Sequence, residues 1–295
     1  MTARKSPTRW ATDITRILNQ VKGPDHFPIN VGQVAKEYSL QAFPDDPIVE
    51  VHGDDLKGLE GAMLPVSNKG WAIIYNSNNP SKGRINFTMA HEFGHYLLHR
   101  HEKPQGIQCK YQRGSLGKKA RALEKEADRF ASNLLMPLDN FKDRISPTET
   151  VDLGILSSAA DHYEVSLTAA IRRWLEYTEK RAVMVVSEEG AISWSRASGP
   201  AARTGAYFPI TDEMVEVPKD SLAANPSQIE DTRTGLIVPN GTWFPKEEGV
   251  REMVMVSEQY GFTISLLILS NYSGDAYDDL ELNQDHFSQL LESRA

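Results

Sequence analysis

Apolar residues in the first part of the chain recur at the spacings of helices and short strands. Four of them, spaced three and four residues apart, predict an amphipathic helix over residues 12–21. A second, shorter helix is predicted over residues 31–38. Between residues 48 and 75 the pattern indicates short strands broken by glycines, of which residues 71–75 form the clearest.

The middle of the chain has longer helical patterns. Residues 84–101 and 117–136 each carry apolar side chains at helical spacing, and Pro137 ends the second segment. A third helical region spans residues 148–179, with a predicted break near residues 163–166. The middle of the chain is therefore predicted to be helical.

After residue 181 the pattern becomes typical of strands. Strands are predicted over residues 182–187, 191–197, 251–256 and 263–270. The last two, with a turn around Gln259-Tyr260-Gly261, form a predicted hairpin. Because helices and strands occupy largely separate stretches, we predict an α+β fold with two domains divided near residue 181.

The composition is that of a globular protein and excludes several classes. Apolar residues make up 40% of the 295 positions and charged residues 24%, which argues against disorder of the whole chain. A single cysteine excludes an intramolecular disulfide framework and a cysteine-based zinc ribbon. There is no apolar run of the ~20 residues that a membrane helix needs. No secretory signal is apparent at the N-terminus, so we expect a cytoplasmic location.

Charge is distributed unevenly between the two predicted halves. Residues 1–181 contain 25 basic and 22 acidic residues, whereas residues 182–295 contain 7 basic and 18 acidic residues. A net charge of −8 argues against direct nucleic-acid binding, which requires clustered Lys and Arg. The step in charge supports a domain boundary near residue 181.

The clearest chemical motif is His91-Glu92-Phe93-Gly94-His95, which matches H-E-x-x-H. On a helix, positions i and i+4 lie on one face, so both imidazoles can reach a single metal ion. Glu92, the residue after His91, points about 100° around the helix from it, where it can accept a proton from a water that the metal activates. The motif predicts a zinc (Zn²⁺) site with Glu92 as the general base.

A third metal ligand is expected on the second long helix, because a catalytic zinc usually has three protein ligands. Glu124 falls inside the apolar stripe of that helix, where a carboxylate is costly unless it is paired or coordinated. Glu126 lies at the opposite edge of the stripe. We predict Glu124 as the ligand, with Glu126 as the alternative. Asp128, one turn after Glu124, can hydrogen-bond a ligating histidine.

Two segments together resemble the ImmA/IrrE metallopeptidase family. They are Phe87-Thr-Met-Ala-His-Glu-Phe-Gly-His-Tyr-Leu-Leu-His99 and Glu124-x-x-Ala-Asp-x-Phe-Ala-x-x-Leu-Leu-Met-Pro137. The resemblance implies a zincin-like fold, with His91, His95 and Glu124 on zinc and Glu92 as the general base. Asp128 departs from the Asn more common in the family, but either side chain can accept a hydrogen bond.

The resemblance also implies a substrate class and a domain layout. Family members cut helix-turn-helix repressors, and relatives with long C-termini carry sensor-like domains of GAF or PAS type. We therefore predict a zincin-like domain over residues 1–147, a helix-turn-helix-like segment over residues 148–181, and an acidic α+β domain over residues 182–295. The helix-turn-helix-like segment has more acidic than basic residues, so we interpret it as a structural helix pair packed on the peptidase rather than a DNA reader.

Several residues near the motif were assigned lesser roles. His99 lies too far along the helix to share the ion of His91, so we expect it beside the ligands or at the surface, and His101 to be solvated. We expect Cys109 to be an inert surface cysteine, although a thiolate switch beside the zinc is the alternative. Tyr96 and Arg84 are candidates for stabilising an oxyanion.

The connection between the two long helices is strongly basic. It contains seven basic residues and a single acid, Glu102; the basic residues are Arg100, Lys103, Lys110, Arg113, Lys118, Lys119 and Arg121. Such a segment beside the metal site can steer an acidic peptide, and a solvated loop is the alternative interpretation.

The sequence thus predicts an intracellular zinc-dependent endopeptidase that cleaves a regulatory protein, a helix-turn-helix transcriptional repressor, and so relieves repression. The alternative is a zincin-fold binding protein that sequesters its partner without cutting it. The intact Glu92 favours the enzyme, since a pure binder has no chemical need for that carboxylate. Neither the oligomeric state nor a ligand of the C-terminal domain follows from the sequence.

Overall fold

The structure is a computed structural model that describes residues 4–67, 69–110, 117–209, 214–225, 232–247 and 249–270. It contains two compact units. The first consists of the described residues up to Asn140 with Asp161–Ser166, and the second of Phe141–Ala160 and the described residues from Leu167 onward. In these described ranges no helix has the length and apolar character needed to span a bilayer. The domain limits at residues 147 and 181 stay predictions, and residues 271–295 of the last predicted domain lie outside the described part.

The chain opens with two capped helices, as the sequence predicts. Helix α1, Pro7–Lys22, begins where the Ser6 hydroxyl accepts a hydrogen bond from the backbone N–H of Arg9. Helix α2, Val31–Ala42, begins in the same way at Asn30. Helix α1 begins five residues before the predicted limit, at its Ser6 cap, whereas α2 begins as predicted and continues four residues past the predicted end.

A four-stranded sheet follows these helices. Its strands are β1 (Ile48–Asp54), β2 (Leu59–Val66), β3 (Gly70–Asn76) and β4 (Ile107–Lys110), in the order β1-β3-β2-β4. Strand β1 pairs parallel to β3, and β2 pairs antiparallel to both β3 and β4. The sequence did not predict β4, a four-residue strand in which Gln108 and Lys110 are exposed. It is the last strand of the described sheet, beyond β2.

Two long helices lie next to this sheet and confirm the helical predictions for the middle of the chain. Helix α3, Lys82–His99, contacts β2 and β3, and helix α4, Lys118–Leu135, packs along α3. The two helices approach closely at Gly94, where an added Cβ atom would lie 3.0 Å from Phe130 Cδ1 and 3.2 Å from Ala127 Cα. A larger residue at position 94 would separate α3 from α4, so this glycine sets the distance between the side chains they share.

Four short helices follow α4 along the chain. Helices α5 (Leu138–Arg144), α6 (Leu153–Tyr163) and α7 (Leu167–Leu175) precede the strands of the second sheet, and α8 (Gly199–Arg203) lies among them. Helices α6 and α7 confirm the predicted break, and they are separated by a turn in which Glu164 has a φ of 50°. Helix α7 contacts β5 and β6 of the second sheet, described next. The sequence missed α5 and α8, which are shorter than the window over which helical periodicity can be recognised.

The second unit is built on a five-stranded antiparallel sheet. Its strands are β5 (Ala182–Glu188), β6 (Ala191–Ala197), β7 (Leu236–Ile237), β8 (Arg251–Ser257) and β9 (Phe262–Ile268), in the order β6-β5-β9-β8-β7. The four longer strands were predicted from the sequence. The β8–β9 hairpin turns at Gly261, whose φ of 68° suits a residue without a side chain. Helices and sheets in both units confirm the α+β class.

Glu252 is a buried carboxylate whose hydrogen bonds link several segments of this second unit. One of its oxygens accepts hydrogen bonds from the backbone N–H of Leu222 at 2.9 Å and from Trp243 Nε1 at 2.8 Å. The other accepts from the N–H of Ala223 at 3.0 Å and from Ser265 Oγ at 3.1 Å. Burial raises the pKa of Glu252 even though these four donors oppose it. The carboxylate, on β8, is therefore hydrogen-bonded to β9 through Ser265 and to the preceding segments through Leu222, Ala223 and Trp243.

Candidate metal centre

His91 and His95 lie one turn apart on α3 and point toward the same place. Both side chains are buried, and their Nε2 atoms are 2.9 Å apart. This follows from the i, i+4 spacing in the sequence. The close contact with β2, β3 and α4 removes both imidazoles from solvent, whereas the sequence placed them at the edge of the core.

Glu124 brings a carboxylate from α4 to the same point. Its Oε2 lies 3.4 Å from His91 Nε2, and its Oε1 lies 3.2 Å from His95 Nε2. Glu126, the alternative ligand, turns elsewhere: its Oε2 contacts His99 Nε2 at 2.9 Å and accepts a hydrogen bond from the Arg4 guanidinium at 3.0 Å. The structure therefore groups Glu124, and not Glu126, with the two histidines. Their role as metal ligands stays a prediction.

Asp128, which the sequence predicts to hydrogen-bond a ligating histidine, contacts Nδ1 of His91. His91 Nδ1 donates a hydrogen bond to Asp128 Oδ1 at 2.8 Å. With its proton on Nδ1, a neutral His91 presents the lone pair of Nε2 toward His95 and Glu124. Asp128 therefore fixes the tautomer that metal coordination requires.

His95 is oriented by a chain of contacts that the sequence did not reveal. His99 Nε2 donates to the Glu126 carboxylate, so the Nδ1 of a neutral His99 is an acceptor. His95 Nδ1 lies 2.9 Å from that atom and donates to it, which leaves the Nε2 lone pair of His95 facing the cluster. His99 is fully buried, so it lies beside His95 rather than at the surface, whereas His101 is exposed as predicted. Helical spacing alone could have indicated the His95–His99 contact.

The expectation for Cys109 is wrong, because this side chain is buried within the cluster. Strand β4 pairs with β2 so that Cys109 lies directly across from Gly61, and both face α3. The Sγ atom is 3.4 Å from His91 Nε2 and 3.8 Å from Glu124 Oε1. The ligand atoms of His91, His95, Cys109 and Glu124 all lie within 4.8 Å of one another. Sequence reasoning missed this placement because it did not predict β4.

Glu92 is fully buried next to this cluster. A Cβ atom added at Gly61 would lie 2.9 Å from Glu92 Oε1 and 2.6 Å from the methyl carbon of Thr88. The missing side chain at Gly61 therefore makes the space that the Glu92 carboxylate occupies. The negative charge of Glu92 also contributes to the raised pKa of the nearby Cys109 thiol, after the larger effect of burial.

The electrostatics of the cluster are dominated by burial and by close pairing. Burial lowers the pKa of His95 to about 4, against the opposing effect of Glu124, and burial also lowers the pKa of His99. Burial would lower the pKa of His91 as well, but its contacts with Asp128, Cys109 and Glu124 raise it well above the ordinary value. Burial disfavours the charge of Glu124, yet the two imidazoles lower its pKa strongly. Glu124 is thus a carboxylate and His95 a neutral imidazole at neutral pH.

This donor set fits a divalent metal ion such as zinc. Imidazole, carboxylate and thiolate are the groups that zinc prefers, and two nitrogen ligands of a tetrahedral zinc are separated by about 3.3 Å. The distances between nitrogen and oxygen atoms here, 2.9–3.4 Å, are close to that separation. The Nε2 atoms of His91 and His95 and the carboxylate of Glu124 thus face one point, as the ligands of a single ion do.

Arg100 does not belong to the exposed basic segment expected between the two helices. It is buried, donates to the Asp46 carboxylate at 3.0 Å, and stacks on Phe43. Lys103, Lys110, Lys118, Lys119 and Arg121 are exposed. Arg113 lies outside the described residues.

The two candidates for the oxyanion helper have described contacts with residues outside the metal cluster. The hydroxyl of Tyr96 donates to the carbonyl of Asp46 at 3.0 Å, and its ring is fully buried. Arg84 pairs with Glu60. A role for either residue in stabilising an oxyanion stays a prediction.

Comparison with known proteins identifies the part of the chain that carries this site. Residues 46–175 match the family model described as the IrrE N-terminal-like domain, of peptidase family M78. Among curated proteins no match was found. The matched region contains His91, Glu92, His95, Cys109 and Glu124. Residues 46–175, which carry the site, are therefore similar to the IrrE N-terminal-like domain of the ImmA/IrrE metallopeptidases.

Proposed function

We propose that the protein is a zinc-dependent endopeptidase that cleaves a regulatory protein in the cytoplasm. The observation that carries this proposal is the convergence of His91, His95 and Glu124 beside a buried glutamate, Glu92. Three protein ligands with an adjacent carboxylate are the arrangement used by peptidases that activate water on a metal. A structural zinc site has no need for the fourth residue, Glu92.

The catalytic roles follow from where each group lies. When bound, zinc lowers the pKa of a water molecule and polarises the carbonyl of the scissile peptide. Glu92 accepts the proton from the attacking water and delivers it to the departing amine. The carboxylate is fully buried, and the missing side chain at Gly61 leaves space for it beside the cluster. Asp128 and His99 hold the two imidazoles so that their Nε2 lone pairs stay directed at the metal.

Strand β4 is the proposed surface for the peptide substrate. It is the outermost strand of the described sheet on the side of the metal cluster, and Cys109 in its middle contacts His91. An edge strand offers backbone N–H and C=O groups to an extended peptide. A peptide bound there can extend past the cluster in both directions, which suits an endopeptidase.

The substrate class is proposed from the family resemblance. ImmA/IrrE members cut helix-turn-helix repressors, and we propose a repressor of this type as the substrate. The exposed lysines of the connection between α3 and α4 support this, because they can attract an acidic segment of such a protein.

The test is incubation of the purified, zinc-loaded protein with purified helix-turn-helix repressors of the same organism. We expect discrete repressor fragments with the wild-type protein and none with Glu92→Gln, which keeps the size of the side chain but removes the base. Glu37→Gln is the matched control, since Glu37 is exposed on α2 and contacts Gln33. Fragments are identified by gel electrophoresis and mass spectrometry.

Two outcomes would contradict the proposal. One is the appearance of the same fragments with Glu92→Gln, which would assign cleavage to a contaminant. The other is a stable complex of the intact repressor with both proteins and no fragments at any time. That second result would favour the alternative function, a zincin-fold protein that sequesters its partner.

A further inference from the structure

Cys109 is the group in the cluster for which the proposed mechanism has no use. It is the single cysteine of the chain, it is 3% exposed, and it lies on an edge strand where a small apolar residue would fill the same space. Its sulfur faces the ligand atoms of three other residues instead of an apolar core. Packing alone therefore does not explain why a thiol occupies position 109.

The distances around the sulfur match those of a shared metal ion. Bond lengths of about 2.3 Å to sulfur and 2.0–2.1 Å to nitrogen place a sulfur and a nitrogen ligand of a tetrahedral zinc about 3.5 Å apart. Sγ of Cys109 is 3.4 Å from His91 Nε2 and 3.8 Å from Glu124 Oε1. The same arrangement brings Sγ within 4.8 Å of His95 Nε2. The four groups therefore lie close enough to bind one ion, with side-chain rotations closing the longest separation.

The backbone also fixes the direction of this side chain. The antiparallel register pairs Cys109 with Gly61, and the alternation of β4 exposes Gln108 and Lys110 while it buries Cys109. Because Gly61 has no side chain, nothing on β2 stands between Cys109 and α3. The strand thus holds the thiol against His91 by its pairing, and not by a flexible loop.

We propose that Cys109 is a fourth ligand of the metal, which closes the coordination position that a catalytic water requires. This inference rests on the proposed metal site and deepens it: the resting protein has a His₂-Cys-Glu set, and water enters only after the thiolate leaves the metal. A four-coordinate site of protein ligands is typical of structural zinc, whereas a catalytic site keeps one position open. The metal site would then be closed at rest, and cleavage by the wild type would begin when a substrate peptide bound along β4 displaces Cys109 from the metal.

Cobalt(II) substitution tests this proposal directly. The metal-free full chain is titrated with Co²⁺, and its absorption is compared in wild type, Cys109→Ala and Cys109→Ser. In wild type we expect one equivalent of Co²⁺, tetrahedral d–d bands, and a thiolate-to-cobalt charge-transfer band in the near ultraviolet. Because the chain has one cysteine, that band can arise from Cys109 alone. Both variants should bind Co²⁺ and lack the band.

Azide reports whether a coordination position is open. Added azide should leave the d–d bands of the wild type unchanged and shift those of Cys109→Ala, where a solvent molecule replaces the sulfur. We also expect Cys109→Ala to lower zinc affinity about 10²-fold or more, on the scale of one lost ligand. Ile107→Val, on the same face of β4, is the control for disturbance of the strand and should behave as wild type in every measurement.

The possible failures can be told apart. A wild-type protein that binds one Co²⁺ without the charge-transfer band would overturn the role of Cys109 and leave the proposed peptidase site intact. An azide-induced shift in the wild type would overturn the closed site. A wild-type protein that binds no Co²⁺ or Zn²⁺ would overturn both this inference and the proposed function.

Discussion

Replacing Glu124 by Gln is the sharpest test of which carboxylate on α4 binds the metal. The exchange keeps the shape of the side chain and removes the charge that lies 3.4 Å from His91 Nε2 and 3.2 Å from His95 Nε2. A zinc site with four protein ligands contributes about 10–16 kcal/mol of binding free energy, so one ligand accounts for roughly 3–4 kcal/mol. We therefore expect the Kd for zinc to rise about 10²–10³-fold.

Glu126→Gln is the matched control, because it makes the same chemical change two residues away on the same helix. Glu126 contacts His99 and Arg4, so its loss weakens only the orientation of His95 through His99. We expect a rise in Kd of less than about 10-fold. Asp128→Ala removes the acceptor of His91 Nδ1 and should fall between the two, at about 10–100-fold.

The assay is competition between the protein and a chromophoric zinc chelator at fixed pH, with the metal stoichiometry determined in parallel. Circular dichroism of each metal-free variant shows whether it is folded. An unchanged Kd in Glu124→Gln, or a larger loss in Glu126→Gln than in Glu124→Gln, would refute the ligand assignment. Either result would show that the short distances from Glu124 to His91 and His95 do not identify Glu124 as a zinc ligand.

Two further predictions concern packing at Gly61 and at Glu252. In Gly61→Ala the new methyl group meets Thr88 and Glu92 at 2.6–2.9 Å, so we expect cleavage to fall while zinc affinity is kept, at a cost of about 1–3 kcal/mol in unfolding free energy. Gly117→Ala, where an added Cβ meets nothing within 4 Å, is the control, and full activity of Gly61→Ala would contradict the placement of Glu92. In Glu252→Gln the amide NH₂ faces two hydrogen-bond donors, so urea denaturation should show a loss of roughly 2–4 kcal/mol. An unchanged unfolding midpoint would show that the four donors at position 252 do not need a carboxylate.

Local sequence determined most of the helices and strands, and it determined which residues of α3 could act together. Periodicity and capping are short-range properties: a Ser or Asn cap and an apolar stripe suffice to place α1, α2 and α3, and the apolar stripe alone places α4, whose N-cap is Gly117. The four-residue spacing of His91 and His95 is likewise complete in the sequence. The position of Glu124 within an apolar stripe already distinguished it from Glu126, because burial of an unpaired carboxylate is costly.

Contacts between distant segments decided the rest. Strand β4 is only four residues long and forms through pairing with β2. Its own sequence pattern therefore could not predict that Cys109 is buried against His91. Arg100 looked like part of a basic surface but is neutralised by Asp46, 54 residues earlier in the chain. The distance between α3 and α4 is set where Gly94 meets Phe130.

There is a physical reason why some features followed from the sequence and others only from the tertiary structure. Spacing along a helix fixes the direction of a side chain, but burial and the charges around it depend on which segments fold against it. For this protein the sequence determined the His91–Glu92–His95 motif and its helix. The tertiary structure determined that a thiol and a hydrogen-bonded His99 complete its surroundings, because both reach the cluster only through packing of the sheet and of α4 against α3.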